Sequence, residues 1–266
     1  TADIDRLNIH FIDYLNFGGY PEVVLSETIR ADPLRFVKND IVDKVLLRDL
    51  PGLYGIQDVQ ELNSLFTTIA FNTAQEISLE ALSKNSGVAK NTIKRYIEYL
   101  EAAFLIKVVH RVDRNARRFQ RATSFKVYLT NPSIRSALFA PLTETSEMIG
   151  SLAETGIFAQ WFHTPRQLYY ARWAEGEVDI VSLDSGQRPS WVVEVKWSDR
   201  FVDHPAELTG LLKFCETNHL REALVTTRTK TEASVRAPQG VVLTCVPASL
   251  YCYTIGRRMV EGKTLP

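Results

Sequence analysis

The stretch from Glu177 to Trp197 constrains this chain more than any other. It reads Glu-Val-Asp-Ile-Val-Ser-Leu-Asp, then Ser185-Gly186-Gln187-Arg188-Pro189, then Ser-Trp-Val-Val-Glu-Val-Lys-Trp. Two apolar runs on either side of a cluster of turn formers predict consecutive β-strands. Side chains alternate faces along a strand. Glu194 and Lys196 therefore point one way, and Trp191, Val193, Val195 and Trp197 the other. On the first strand Glu177, Asp179 and Val181 share a face. Paired, the strands bring Asp179 near Glu194 and Lys196, so two carboxylates and an ammonium meet on a largely apolar surface. Taken alone, such charges are a salt-bridged strand worth about 0–1 kcal/mol. The rest of the chain decides whether they are more.

A length of 266 residues suits roughly two domains, and 45% apolar with 23% charged residues is the composition of a soluble globular protein. Thirty-one basic and 31 acidic residues cancel. Any attraction to nucleic acid or membrane must then be local. No apolar run approaches the ~20 residues of a membrane span, and Thr-Ala-Asp-Ile-Asp-Arg at the N-terminus lacks a signal peptide's pattern. A cytoplasmic protein with no membrane partner is expected. Cys215, Cys245 and Cys252 have no Cys-x-x-Cys spacing and read as buried thiols of a reducing compartment. The histidines form no His-x-x-x-His pair, so nothing points to zinc.

Residues 1–75 read as a helical segment. Its first helix stops at Asn16-Phe17-Gly18-Gly19-Tyr20-Pro21. A second periodic stretch opens at Pro33, with Phe36, Val37, Ile41, Val45 and Leu46, and closes at Arg48-Asp49-Leu50-Pro51-Gly52. A third runs from Asp58 to Phe71. Residues 76–131 are more specific. Ser78 caps a short helix, Leu79 to Ser83, which ends near Gly87. A longer helix follows, with Ile93, Tyr96, Ile97, Leu100 and Phe104 at helical spacing. That is a helix-turn-helix pattern, in which the start of the second helix faces the major groove. Here those residues are Ala89, Lys90, Asn91, Thr92, Lys94 and Arg95. Strands at Ile106–Val109 and Phe125–Leu129 make it a winged helix. Their connection, from Lys107 to Lys126, carries Arg111, Arg114, Arg117, Arg118 and Arg121 against Asp113 alone. Such a wing neutralises phosphates, giving salt-dependent and mostly sequence-independent affinity for duplex DNA. The competing reading is a basic face docked on an acidic neighbour.

A Pro, Thr and Glu-rich linker, Pro132 to Thr145, leads to residues 146–255. These carry a helix from Met148 to His163 with Glu154, strand Gln167–Trp173, the two opening strands, an amphipathic helix from Pro205 to Asn218, and strands Ala223–Thr227 and Val241–Val246. The order α-β-β-β-α-β-β is α/β with one crossover helix.

Glu154 on that helix, Asp179 on the second strand and Glu194-Val195-Lys196 on the third resemble the PD-(D/E)xK nuclease-like superfamily. The resemblance implies that Asp179, Glu194 and Glu154 hold Mg²⁺ or Mn²⁺ and that Lys196 assists attack on a phosphodiester. The residue types suit that chemistry: hard carboxylate oxygens hold such ions, and a lysine stabilises charge developing on phosphate. Val178 stands where the superfamily often has proline.

Over nearly all its length the chain also resembles domain of unknown function 4143, the C-terminal part of a group of prokaryotic AAA+-type ATPases. The residues that carry this are Gly18-Gly19-Tyr20-Pro21-Glu22, Val45-Leu46-Leu47-Arg48-Asp49-Leu50, the winged helix, Glu154, Glu177-Val178-Asp179 and Glu194-Val195-Lys196. In such proteins a P-loop domain that binds ATP precedes this region; this chain has no G-x-x-x-x-G-K-[ST], so the resemblance implies either a C-terminal piece or a stand-alone relative. Gly256 to Thr264 misses that spacing and lies in a polar tail. The expected fold is thus a helical segment and winged helix-turn-helix followed by a PD-(D/E)xK nuclease-like α/β domain. Two roles stay open: a metal-dependent deoxyribonuclease, or a non-catalytic module docking DNA or a protein for an ATPase.

Overall fold

The structure is a computed structural model that describes residues 3–118 and 124–263. Helices and a nine-stranded mixed sheet build an α/β architecture whose contacts fall into two units interleaved along the sequence. One comprises His10–Val108 and Thr123–Ala159, the other Thr1–Ile9, Val109–Ala122 and Gln160–Pro266.

In the first, helical unit, α1 (Ile4–Phe17) arrives from the other unit and stops at Gly18-Gly19. Gly19 has φ +88°, and a Cβ there would lie 2.3 Å from Asn131 Nδ2, so only glycine fits this turn. Short helices α2 (Pro21–Leu25), α3 (Glu27–Arg30) and α4 (Pro33–Phe36) follow, the last two capped by Ser26 and Asp32. From Val37 to Asp43 and from Val45 to Asp49 the chain is wound as π-helix, before α5 (Leu50–Tyr54). Asp58 caps α6 (Val59–Phe71) through Glu61 N–H at 2.8 Å. Then come β1 (Glu76–Ser78), α7 (Leu79–Ser86), a left-handed Gly87, and α8 (Lys90–Ala102). Ser78 Oγ caps α7 at Ala81 N–H, 3.0 Å, as the sequence pattern requires. Strands β2 (Ile106–Val112) and β3 (Ser124–Leu129) succeed them, with β3 antiparallel to β1. The core joins Val37, Val42, Leu46 and Leu50 to Leu62, Phe66, Ile93, Leu100, Val127 and Leu129. Each such side chain contributes about 1.5–3 kcal/mol through burial.

The expected linker from Pro132 to Thr145 is in part a buried helix, α9 (Ser133–Leu138). Its Arg135 guanidinium lies over the rings of Phe71 and Phe139 and donates to Ala140 C=O, and burial lowers its pKa. Helix α10 (Ile149–Trp161) closes the unit and runs on into the next.

The second, sheet unit contains β4 (Leu168–Trp173), β5 (Gly176–Leu183), β6 (Pro189–Glu194), α11 (Arg200–Asp203), α12 (Thr209–Thr217), β7 (Glu222–Thr227), β8 (Glu232–Arg236), β9 (Val242–Pro247) and α13 (Ala248–Val260). The whole strand order is β1-β3-β2-β4-β5-β6-β7-β9-β8. Strands β4, β5 and β6 form an antiparallel meander, and β6, β7 and β9 run parallel. Helix α12 is the crossover between parallel β6 and β7, and it buries Leu211, Leu212, Phe214 and Cys215 against Val181, Val192 and Val225. Two elements depart from expectation. β8 is an added edge strand, and the residues around Gly256 lie inside α13. No helix among the described residues is long and apolar enough to cross a membrane.

Candidate active site

The register between β5 and β6 pairs Ile180 with Val193 and Val181 with Val192. Asp179 and Glu194 lie just beyond the Ile180–Val193 pair, beside a bulge in β5 between Val178 and Val181. Both carboxylates are buried, at 7% and 8% exposure. Lys196, half-buried, places Nζ 2.6 Å from Glu194 Oε1. Its ammonium also lies 5.9 Å from the centre of the Phe201 ring. Asp179 Oδ2 accepts the Val195 N–H at 2.9 Å, which locks the aspartate to the neighbouring strand. Burial first, then the negative charge of Glu194, push the thiol of Cys215 on α12 up to about 12. Asp179, Glu194 and Lys196, the set read from the sequence, thus lie on β5, on β6 and just after it, tied by the Val195–Asp179 and Lys196–Glu194 hydrogen bonds.

Glu154 belongs to the helical unit and is hydrogen-bonded there. Its Oε1 accepts from Lys126 Nζ at 3.0 Å and from Tyr128 OH at 2.6 Å, all three side chains being buried. Lys126 is consequently no part of the exposed basic charge counted between Lys107 and Lys126. The described residues contain no group of three or more His, Cys, Asp or Glu side chains arranged to hold a metal ion. Asp179 and Glu194 are two hard oxygen ligands on adjacent strands, a donor set that suits Mg²⁺, which is usually held by one or two carboxylates together with water and substrate phosphate. The residues present fit such an ion, with Lys196 competing for Glu194.

At the start of α8, Asn91, Lys94 and Arg95 are exposed and Thr92 is half-buried. Lys90 pairs with Glu80 at 3.3 Å and Lys94 with Glu98 at 3.9 Å, exposed ion pairs of little strength. Beneath this helix pair α6, α7 and α8 line a cavity of about 520 Å³ that includes Asp58, Glu61 and Tyr96. Burial, then a hydrogen bond with Glu61, raises the Tyr96 phenol to about 12.

The basic connection belongs to the sheet unit rather than to the helix pair. Asp113 Oδ1 accepts from Asn115 and Arg117 N–H at 2.8 and 2.9 Å, which folds the first turn. Arg111 and Arg114 are half-buried, whereas Arg117 and Arg118 are exposed. Arg118 Nη1 donates to Tyr169 OH at 3.1 Å. Arg121 lies outside the described residues.

Two residues that matter locally escaped the sequence reading. Thr226 and Asp199 hold the segment that follows β6, Thr226 at the Lys196 backbone and Asp199 at the N–H groups of Arg228, Thr229 and Lys230. Neither belongs to a motif, and each acts on residues about thirty positions away.

Fold and site together define a mixed α/β protein with a buried two-carboxylate and lysine cluster on its sheet. The chain belongs to the family described as Domain of unknown function (DUF8612), whose model matches residues 8–146, just over half of its 266 residues. It is also similar to a Haemophilus influenzae protein described as uncharacterized, at 26% identity over 138 residues, covering 50% of this chain and 32% of that protein. The match thus spans about a third of the relative's length. No solved structure matches the chain.

Proposed function

We propose that this protein binds nucleic acid and hydrolyses DNA phosphodiesters at Asp179, Glu194 and Lys196. The observation that carries the reading is the buried pair of carboxylates on adjacent strands, with Lys196 Nζ 2.6 Å from one of them. Desolvating two acids on adjacent strands costs stability unless something cationic or hydrogen-bonding compensates, and such an arrangement is typical of functional sites. A bound Mg²⁺ or Mn²⁺ would supply Lewis acidity toward a phosphoryl oxygen and activate water. Asp179 and Glu194 would hold the ion, and Asp179 is kept in place by Val195 N–H. Lys196 then stabilises negative charge on the scissile phosphate. The α7–α8 helix pair, read as helix-turn-helix, presents Asn91, Lys94 and Arg95, while Arg117 and Arg118 contribute backbone contacts to phosphate. The resemblance to domain of unknown function 4143 supports work beside an AAA+-type ATPase in the cytoplasm.

A second reading, a DNA- or protein-docking module with a catalytically silent nuclease-like sheet, is favoured by one observation. Lys196 Nζ, 2.6 Å from Glu194 Oε1, occupies the side of that carboxylate a metal ion would need. Plasmid and single-stranded DNA incubated with protein and Mg²⁺ or Mn²⁺ separate the two. Wild type is expected to cleave, and Asp179→Asn, Glu194→Gln and Lys196→Ala to lose roughly a hundredfold or more in rate. Equal cleavage by all four, or none with either metal, overturns catalysis and leaves docking.

A further inference from the structure

The parallel ladder between β6 and β7 registers Val193 with Leu224 and Glu194 with Val225. Past that rung a side chain holds the backbone. Lys196 N–H donates to Thr226 Oγ1 at 2.7 Å, and the same hydroxyl donates to Lys196 C=O at 2.8 Å. A hydroxyl has one proton to give and lone pairs to accept with, so this reciprocal pair satisfies both backbone groups of one residue. Thr226 is fully buried, and its β-branch restricts χ1, so the hydroxyl has few other orientations. We infer that Thr226 is a positioning residue for Lys196: by fixing both backbone groups it sets the direction in which the ammonium is presented to Glu194 and to substrate. This rests on the catalytic reading of Lys196 given above. Three residues on, Asp199 ties the same segment to the loop after β7, so the segment is anchored to β7 and its following loop at two points.

A residue serving only to cap the ladder would alter stability and nothing else. The distinguishing readouts are therefore local to Lys196. Amide exchange at Lys196 is expected to speed up roughly fivefold or more in Thr226→Val, the factor that one hydrogen bond of ordinary net strength represents. The neighbouring Val195 amide, which is held by Asp179, keeps its wild-type rate. Pulse labelling of amines should modify Lys196 several times faster in Thr226→Val than in wild type, with exposed Lys213 unchanged and with Thr226→Ser close to wild type. Where cleavage is present, Thr226→Val lowers kcat and spares KM, and Thr226→Ser restores kcat. Unchanged Lys196 exchange and labelling in folded Thr226→Val overturn the inference. If that variant does not fold, Thr226→Ala takes its place. In the wild type itself, Lys196 exchanging far faster than Val195 is equally fatal. Exchange and labelling need neither DNA nor metal, so absent cleavage overturns the catalytic reading while these measurements still decide the clamp.

Discussion

Asp199 accepts hydrogen bonds from three successive backbone N–H groups, those of Arg228, Thr229 and Lys230, at 3.0, 2.7 and 3.0 Å, and from the Thr229 hydroxyl at 2.6 Å. Burial alone would raise its pKa. The hydrogen bonds from Thr229, Lys230 and Arg228 together outweigh burial and hold the carboxyl below its ordinary value. A group depressed on folding contributes stability above its unfolded pKa, about 3.9, and loses it as pH falls through the folded one. Asp199→Asn, which keeps one oxygen for the three N–H groups but loses the charge and the second acceptor oxygen that takes the Thr229 hydroxyl, is thus expected to lower the urea midpoint at neutral pH. The gap to wild type should close as pH drops from about 5 to about 2. Urea titrations across that range check it, and a constant gap would show that the charge is irrelevant. At this scale the two strands that carry Asp179 and Glu194 were legible from their apolar runs, whereas the bulge in β5 beside Asp179 was not, since alternation alone does not reveal an inserted residue. The engagement of Glu154 was not, since Lys126 and Tyr128 reach it through tertiary packing from a strand that reads as part of a basic wing. Removing one partner of that buried pair is the sort of change that costs about 3–5 kcal/mol.

Among elements, the capped helices were legible because Ser78 and Asp58 stand where orphan N–H groups need acceptors. The stretch after Pro33 was legible as a helix but not in its winding. Its fully buried residues are Val37, Val42, Leu46 and Leu50, at intervals of five, four and four residues. A turn of 3.6 residues would bring Lys44 and Arg48 inward instead. Wider π winding keeps both exposed, so the apolar spacing accounts for a conformation that is otherwise rare. β8 escaped because edge strands carry weak patterning. Its residues are mostly exposed, its pairing with β9 is irregular between Glu232 and Val235, and Glu232 and Arg236 flank it. Bulges and charges of this kind discourage pairing with another chain. The Gly18-Gly19 turn was legible as a stop, while its reason is tertiary: Gly19 abuts the Asn131 amide, whose Oδ1 accepts from Ser133 N–H and Ser133 OH at the start of α9. Gly19→Ala combines a left-handed backbone with a clash and should cost about 2–5 kcal/mol. Gly55→Ala, also left-handed but with open space around its Cβ, should cost only about 1–2 kcal/mol. Thermal melts of the two variants test the difference, and equal losses would mean that the Asn131 contact yields freely.

For the whole molecule, equal numbers of acidic and basic residues remove any long-range pull on a polyanion. DNA affinity on the proposed reading must then come from local clusters, which sequence can enumerate but not assign to units. The helix pair and the described arginines of the connection fall in different compact units, an interleaving that no linear division at residues 75 and 131 conveys. Contacts, not chain order, decide it: β2 begins in one unit and pairs with β4 in the other through His110, Arg111 and Val112. The two clusters therefore predict separable losses. Phosphate contacts release counterions, and log affinity falls with log salt at about 0.9 per contact. Arg117→Ala/Arg118→Ala should weaken binding to duplexes of unrelated sequence alike and make the slope shallower by roughly two. Lys94→Ala/Arg95→Ala, at the start of the helix proposed to face the groove, should weaken binding and also change the ranking of sequences if that helix reads base edges. Gel shifts over a salt series with several duplexes measure both. Slopes identical in wild type and Arg117→Ala/Arg118→Ala would remove the connection from the interface, and affinity indifferent to salt would remove phosphate contact altogether.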